Sequence, residues 1–203
     1  ACGSLIDVAG VLALARIRPG ECAVSTVCLA GVVAFGVLPG ILLAVAVALA
    51  DFIWRSWRPH DAVLGRVVGI KGYHDVARHP DARQVPGLVM FRWDSPLFFA
   101  NAGMFRRRLL DVVAQSSTPT KRVIIAAEPM TDIDTTAAET LTQLTEELRA
   151  RGIELGFAEL KGPVKDRLRR YGIYDTLGAA SFAPTLGRAV ASYVKAYEIP
   201  WTD

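Results

Sequence analysis

Between Glu21 and Asp51 the chain runs for 29 residues without a single charged side chain. A stretch of that kind belongs in a bilayer or in the fully buried helical pair of a soluble protein. Pro39-Gly40 falls near its middle, where one continuous helix is hard to sustain, so the sequence predicts two short helices, Cys22 to Leu38 and Ile41 to Trp54. Each arm of ~15 residues would reach only ~22 Å, short of the ~30 Å hydrocarbon core. Short arms and an irregular turn at membrane depth call for shelter by other transmembrane neighbours. Arg16 and Arg18 precede the run, while Arg55, Arg58 and Arg66 follow it. Basic flanks prefer the cytoplasmic side, so both ends are expected inside, with Trp54 and Trp57 at the interface. Asp7, within Leu5 to Leu14, reads either as an intramembrane acid or as a helix-end residue.

Hydrophobic residues make up 52% of the 203, and the uncharged run accounts for the excess, because charges recur throughout the part beyond residue 60. That remainder, ~140 residues, is the usual size of one domain. The organisation expected is residues 1–58 as the end of a transmembrane region, 59–86 as a linker with a first extended strand, and 87–203 as a domain core. The chain opens on Ala1 and Cys2, without an initiator Met or the order of a signal peptide, and is therefore expected to be a piece of a longer one. All three cysteines, Cys2, Cys22 and Cys28, lie in the first 28 residues, which leaves the later domain none for a disulfide framework and fits a reducing cytosol. The net charge of +3 is modest and its basic residues are scattered, giving no case for nucleic acid.

Beyond Asp61 short apolar strands alternate with amphipathic helices. An extended piece is expected near Val67 to Tyr73, then a strand at Leu88 to Phe91. A helix from Ala102 to Gln115 follows, with Phe105, Leu109, Val112 and Val113 on one face and the Arg106 to Arg108 triplet on the solvated side. A buried strand is expected at Val123 to Ala127, a helix carrying Leu141, Leu144 and Leu148 ends at Arg151-Gly152, and another strand runs from Ile153 to Ala158. Val164, Leu168 and Tyr171 mark one more helix; Leu186, Val190, Val194 and Tyr197 mark the last. Alternation of this kind argues for an α/β fold with a largely parallel sheet and packed helices.

Two motifs in this pattern resemble the carboxy-terminal region of the SulP family of sulfate and anion permeases. The first is Asp94-Ser95-Pro96-Leu97-Phe98-Phe99-Ala100-Asn101-Ala102, similar to the family's entry into the first helix of its STAS domain. The second is Met130-Thr131-Asp132-Ile133-Asp134-Thr135-Thr136-Ala137, similar to the segment in which an Asp and a hydroxyl pair open the next helix. Leu64-Gly65-Arg66-Val67, followed by Tyr73 and Asp75, resembles the usual linker into that domain. The second motif also resembles SpoIIAA-type anti-anti-sigma factors, in which a serine after the Asp is phosphorylated; here that position carries Thr135. The resemblance implies a SpoIIAA-like STAS sheet with packed helices behind a helical membrane segment, in the cell membrane with the STAS domain cytoplasmic. It further implies sulfate or related-anion movement by the complete protein and a regulatory, nucleotide- or partner-sensing role for this domain. The substrate-holding helices of the family lie upstream, so this piece alone is not expected to transport.

Chemistry points the same way, since the chain has no phosphate loop, dinucleotide fingerprint or nucleophile elbow. His60, His74 and His79 lack metal-ligand spacing and read as exposed; Glu146-Glu147 reads as water-facing. Asp132, Asp134, Thr135 and Thr136 form the most informative polar cluster. Thr136 with Glu139 fits a capping box, while the same helix start can bind a nucleotide phosphate or accept a partner. Thr135 is the candidate phosphorylation position. Lys161, Lys165, Arg167, Arg169 and Arg170 form a basic run that reads as a solvated face or a contact for anionic lipid. No cofactor or metal is called for outright; a guanine or adenine nucleotide at the STAS domain is the candidate ligand. The expected partners are the rest of its own transmembrane domain, the lipid bilayer, a second copy in a homodimer, and a nucleotide. The competing function is a membrane-tethered anti-anti-sigma-like phospho-switch protein, and an acyl- or nucleotide-handling enzyme would need a catalytic constellation that does not emerge.

Overall fold

The computed structural model describes Gly10 and residues 15–201, so the readings made on Cys2 and Asp7 fall outside the described residues. The chain divides into two units, Ala1–Trp57 and Arg58–Asp203.

The first unit is a helical hairpin, α1 (Pro19–Phe35) and α2 (Val37–Trp57). Pro19 occupies the first turn of α1, where its missing N–H costs nothing, and Glu21 sits in the same turn, 2.6 Å from Arg18. The break falls at Gly36 and not at the expected Pro39-Gly40. Gly36 adopts φ 90° and ψ 173°, and its amide donates to Val32 O at 3.0 Å. Pro39 is the third residue of α2, where the amide has no intrahelical acceptor in any case, and the Gly40 amide closes the first turn on Gly36 O at 3.1 Å. Moving the break shifts the first arm, which keeps 17 residues, and lengthens the second to 21, about 25 and 31 Å at the helical rise. Among the described residues α2 is the one helix long and apolar enough to cross a membrane, so it is not the short arm expected.

The two helices meet backbone to backbone at Gly31 and Gly40, the buried positions of the hairpin. A Cβ on Gly31 would lie 3.2 Å from the Gly40 Cα, and one on Gly40 would collide with the Val32 backbone. Outward faces carry Leu29, Val33, Phe35, Leu38, Leu42, Val45, Leu49 and Phe52, all exposed. An apolar surface that continuous needs lipid or protein against it.

The second unit is a six-stranded sheet in the order β2-β1-β3-β4-β5-β6. β1 (Asp61–Arg66) runs antiparallel to both β2 (Tyr73–Asp75) and β3 (Leu88–Trp93), whereas β3, β4 (Arg122–Ala126), β5 (Glu154–Ala158) and β6 (Phe182–Ala183) are parallel. The central strands are apolar on both faces because both are covered. Val89, Phe91, Trp93, Val123, Ile125, Leu155 and Phe157 face α3 (Ala102–Ala114), α4 (Thr135–Ala150), α5 (Gly162–Arg170) and α6 (Ile173–Leu177). Leu88, Met90, Ile124 and Ala126 join Ala62 and Leu64 beneath α7 (Leu186–Ala196). Trp93 and Phe105 pack edge to face with centroids 5.4 Å apart, and Phe91 lies 5.9 Å from Phe105.

The extended piece expected at Val67 to Tyr73 is instead the turn between β1 and β2. Gly69 and Gly72 take φ of 82° and 99°, values that suit glycine, and the Arg66 guanidinium holds the loop by donating to Ile70 O and Gly72 O. The arginine triplet is likewise not all solvated: Arg106 pairs with Glu147, and Arg108 makes a two-pronged contact with Asp61. Glu147 also takes Arg151, so of the Glu146-Glu147 pair only Glu146 faces water.

Two outcomes follow from this packing. A domain beginning at Arg58 should unfold cooperatively, and one beginning at Val63, which lacks the Asp61 and Ala62 pairings to Trp93 and Arg92, should be about 1–3 kcal/mol less stable by urea titration. In the hairpin, Gly40→Val should separate α1 from α2, seen as lost crosslinking between cysteines placed on the two helices, while Leu42→Ala on the exposed outer face should leave their contact in place.

Candidate regulatory loop

β4 ends at Ala126, and the chain turns through Met130, whose amide donates to Ala127 O at 3.1 Å, before α4 begins at Thr135. The intervening loop lies beyond the carboxyl end of a parallel strand, where open α/β sheets place ligand sites. Thr131 and Asp132 are exposed, but Ile133 is buried and forms a parallel bridge with Leu97. The Leu97 amide donates to Asp132 O at 3.0 Å and the Asp134 amide to Leu97 O at 3.3 Å. The two motifs singled out in the sequence are thus zipped together side by side.

Asp134 is the helix cap. Its backbone is extended, and one carboxylate oxygen accepts the Ala137 amide at 2.8 Å. The other accepts the Phe99 amide at 2.8 Å. This corrects the capping box expected from Thr136 and Glu139: α4 starts one residue before Thr136, whose carbonyl instead accepts the Thr140 hydroxyl at 2.9 Å. Asp134 wins because its short carboxylate reaches two amides at once. The Asn101 side chain, fully buried, holds the facing turn by accepting from the Phe98 amide and donating to Pro96 O, both at 2.9 Å.

Asp132 accepts its neighbour's amide, Ile133, at 2.6 Å and forms an ion pair with Arg167 of α5. Arg167 also donates to Ile133 O at 3.3 Å, so it is a latch on the loop and not simply part of a solvated basic face. Elsewhere on that face Arg169 pairs with Asp166 at 2.8 Å and lies 4.5 Å over the Tyr174 ring, and Lys161 is 3.5 Å from Glu128. The Thr135 hydroxyl sits 3.5 Å from the Tyr171 hydroxyl. Next to the loop Phe99 is 71% exposed, set edge to face on Phe98, and Tyr171 is 38% exposed.

Asp132, Asp134, Thr135 and Thr136 therefore do come together, but with unequal roles. Asp134 is committed to two amides and Asp132 to Arg167, whereas the two threonines are exposed at the helix start. Sequence reading did not single out Arg167, Tyr171 and Phe99 individually. The signal for Phe99 was a second consecutive aromatic where one suffices for a core; Arg167 had none beyond its place in a basic run. Two concave cavities, about 490 and 600 Å3, open elsewhere: one beside β5 with Arg122, Arg149 and Ser181, the other with Arg66, Tyr73, Arg92 and Thr185. The second also takes Glu128 and Pro129 from the start of the loop, but neither is lined by residues 131–136. The histidines are not simply exposed: His60 lies 2.9 Å from Asp94, and His74 packs on His79 at 5.4 Å.

The STAS domain family model matches residues 79–189. A "Probable sulfate transporter" of Mycobacterium tuberculosis is 40% identical over 189 residues, covering 93% of this chain and 34% of that protein. "High affinity sulfate transporter 2" of Stylosanthes hamata is 32% identical over 171 residues, covering 80% and 26%. The chain spans about a third or less of the length of these curated relatives. Among solved structures, the murine Solute Carrier 26 family member A9 anion transporter in the inward-facing state superposes with a TM-score of 0.80 at 18% identity, over 91% of this chain and 30% of that one. A sulfate transporter family protein from Wolinella succinogenes gives 0.51 at 21% identity, over 62% and 99%. At these identities the structures establish a shared fold. The family model, which covers more than half of the chain, places it in the STAS domain family.

Proposed function

We propose that this chain is the carboxy-terminal part of a membrane transporter for sulfate or a related inorganic anion, and that its STAS domain regulates transport through the loop 131–136. The observation that carries the transporter reading is the 40% identity to a sulfate transporter across 93% of the chain, a span that takes in the apolar hairpin as well as the domain. The hairpin contributes to the membrane domain, with both of its ends and the STAS domain on the cytoplasmic side. The domain senses and does not catalyse.

A partner protein is favoured over a nucleotide as the loop's ligand. Residues 131–136 line neither cavity, so they have no enclosing walls for a base or ribose. It does offer an exposed aromatic, Phe99, beside hydroxyls and a fixed helix start, which is the composition of a protein contact. Its acids are no obstacle, since Asp132 is neutralised by Arg167 and Asp134 by two amides. A phosphate on Thr135 would bring about two negative charges beside Asp132, displace the Tyr171 contact and compete for Arg167. Phosphorylation would accordingly loosen the α5 latch and change the docking face.

In the complete transporter, Thr135→Glu should alter sulfate uptake into proteoliposomes or partner capture by at least threefold, and Thr135→Ala should abolish any response to phosphorylation. Asp134→Ala serves as the cap control and should cost about 1–2 kcal/mol of domain stability. Unchanged uptake and unchanged partner binding in both Thr135 variants, with the fold intact, would make the loop structural. Absence of sulfate uptake by the wild-type complete protein would instead favour the membrane-tethered phospho-switch.

A further inference from the structure

His60 lies three residues beyond the end of α2 and one before β1. Its main chain is fixed, because the Asp94 amide donates to His60 O at 3.0 Å. Its ring stands between two carboxylates from different strands. Nδ1 is 2.9 Å from Asp94 Oδ2, just past the end of β3, and Nε2 is 3.8 Å from Asp75 Oδ2, at the end of β2. With a carboxylate as its acceptor, Nδ1 carries the hydrogen in the neutral ring. Nε2 then presents a lone pair to the Asp75 carboxylate, at a distance too long for a hydrogen bond and with the wrong sign for attraction. One added proton reverses that sign.

The surrounding charges leave Asp75 as the carboxylate with most to gain. Asp94 is already held by Arg92, at 2.7 Å from Nε and 3.1 Å from Nη2. Asp75 is mostly buried, accepts the Ala77 amide at 2.8 Å, and has Arg78 at 4.0 Å. On the ring's own segment Arg58 precedes it and Asp61 is taken by Arg108. His74 turns to Lys71 O at 3.2 Å and meets His79 edge to face. Burial pushes the Asp94 carboxyl up, but hydrogen bonds from Arg92 and His60 outweigh it and hold it below the usual carboxylate range. Asp94 therefore stays ionised throughout the range in which imidazoles titrate.

We propose that His60 is a proton-operated clamp that ties the end of β2 to the end of β3 where the chain enters the sheet. Protonated, the ring bridges Asp75 and Asp94 with an N–H to each; neutral, it keeps Asp94 and releases Asp75. β2 is three residues long and pairs in the sheet with β1, so the bridge adds a tie from its end to β3, and losing it loosens a short edge strand. The sign follows from both partners. Attraction to Asp75 is present when both ring nitrogens carry a proton and is lost when Nε2 gives up its own. The Asp94 arm is present above the ordinary carboxylate pKa of about 4 and fails as pH falls through its own depressed value. The clamp is thus tightest in mildly acid solution and opens toward alkaline pH.

Hydrogen exchange of the full chain in detergent micelles, corrected for intrinsic rates, tests this at pH 6 and pH 8. Amides of residues 60–66 and 73–78 should exchange about fivefold more slowly at pH 6, as expected of one partly exposed ion pair. His60→Gln should bring that ratio to about one, with protection of Leu88–Trp93 unchanged. His60→Lys, permanently charged, should be slow at both pH values, and Asp75→Asn should lose the pH ratio without losing the fold. Should His60→Gln also lose protection at β3, the lysine variant decides: slow exchange at both pH values upholds the clamp, and a ratio like that of the wild type overturns it. A wild type with no pH ratio, or a His60→Gln protein that keeps one, also overturns it.

Discussion

The Asp134 carboxylate is the interaction on which the upper edge of the domain depends. One side chain accepts from the first turn of α4 and from the turn that leads into α3, so two helices that pack on the same face of the sheet share a single anchor. The bridge from Leu97 to Ile133 runs alongside it and seats both side chains in the core. Buried polar backbone at the end of a strand must be paired somewhere, and here each motif supplies the other's partners. Their pairing accounts for Asp134 and Ile133 in the second motif and for Leu97 and Asn101 in the first. It also leaves the threonines on the outer surface, since nothing internal needs their hydroxyls.

Much of this was legible in the sequence because the interior strands announce themselves. Leu88 to Trp93 and Arg122 to Ala126 are apolar on both faces, and only a sheet covered on both sides makes that pattern stable. The helices of the covering layer show the period of 3.6 at Phe105 and Leu109 and at Leu141, Leu144 and Leu148, all buried. Resemblance then located the loop. What stayed hidden depends on contacts between residues far apart in the chain. Nothing local distinguishes Arg167 from Arg169 or Arg170, yet it alone among them reaches Asp132. Asp134 was read as one polar residue among four, although a threonine two places later made an equally regular cap on paper.

The errors at the two turns share a cause. Pro39 was taken as the break in the hairpin because proline ends helices, but in the first turn of a helix it removes an amide that has no acceptor. Gly36, with its φ of 90°, is the residue that lets the chain reverse. The hairpin β1–β2 was displaced in the same way. Val67 and Val68 look like strand, but Gly69 and Gly72, both at positive φ, turn the chain there, and Arg66 supplies the polar contacts that keep the turn shut. In both places the conformational freedom of glycine outweighed the more conspicuous neighbour.

Segment 94–101 joins these features physically. At its start Asp94 is gripped by Arg92 and His60; at its end Leu97, Phe99 and Asn101 are gripped by Ile133, Asp134 and Pro96 O. Eight residues thus carry the attachments of both the chain's entry into the sheet and the exposed loop. The segment has no regular ladder of its own, only side-chain and turn contacts at each end, so its position is set by the groups that hold it. A change in charge at either end alters the same short piece of backbone. Contiguity of this kind is the material requirement for communication between two sites, and the second requirement is an element with two arrangements. A ring nitrogen that repels a carboxylate when neutral and attracts it when protonated is an element of that sort, placed three residues from the apolar helix.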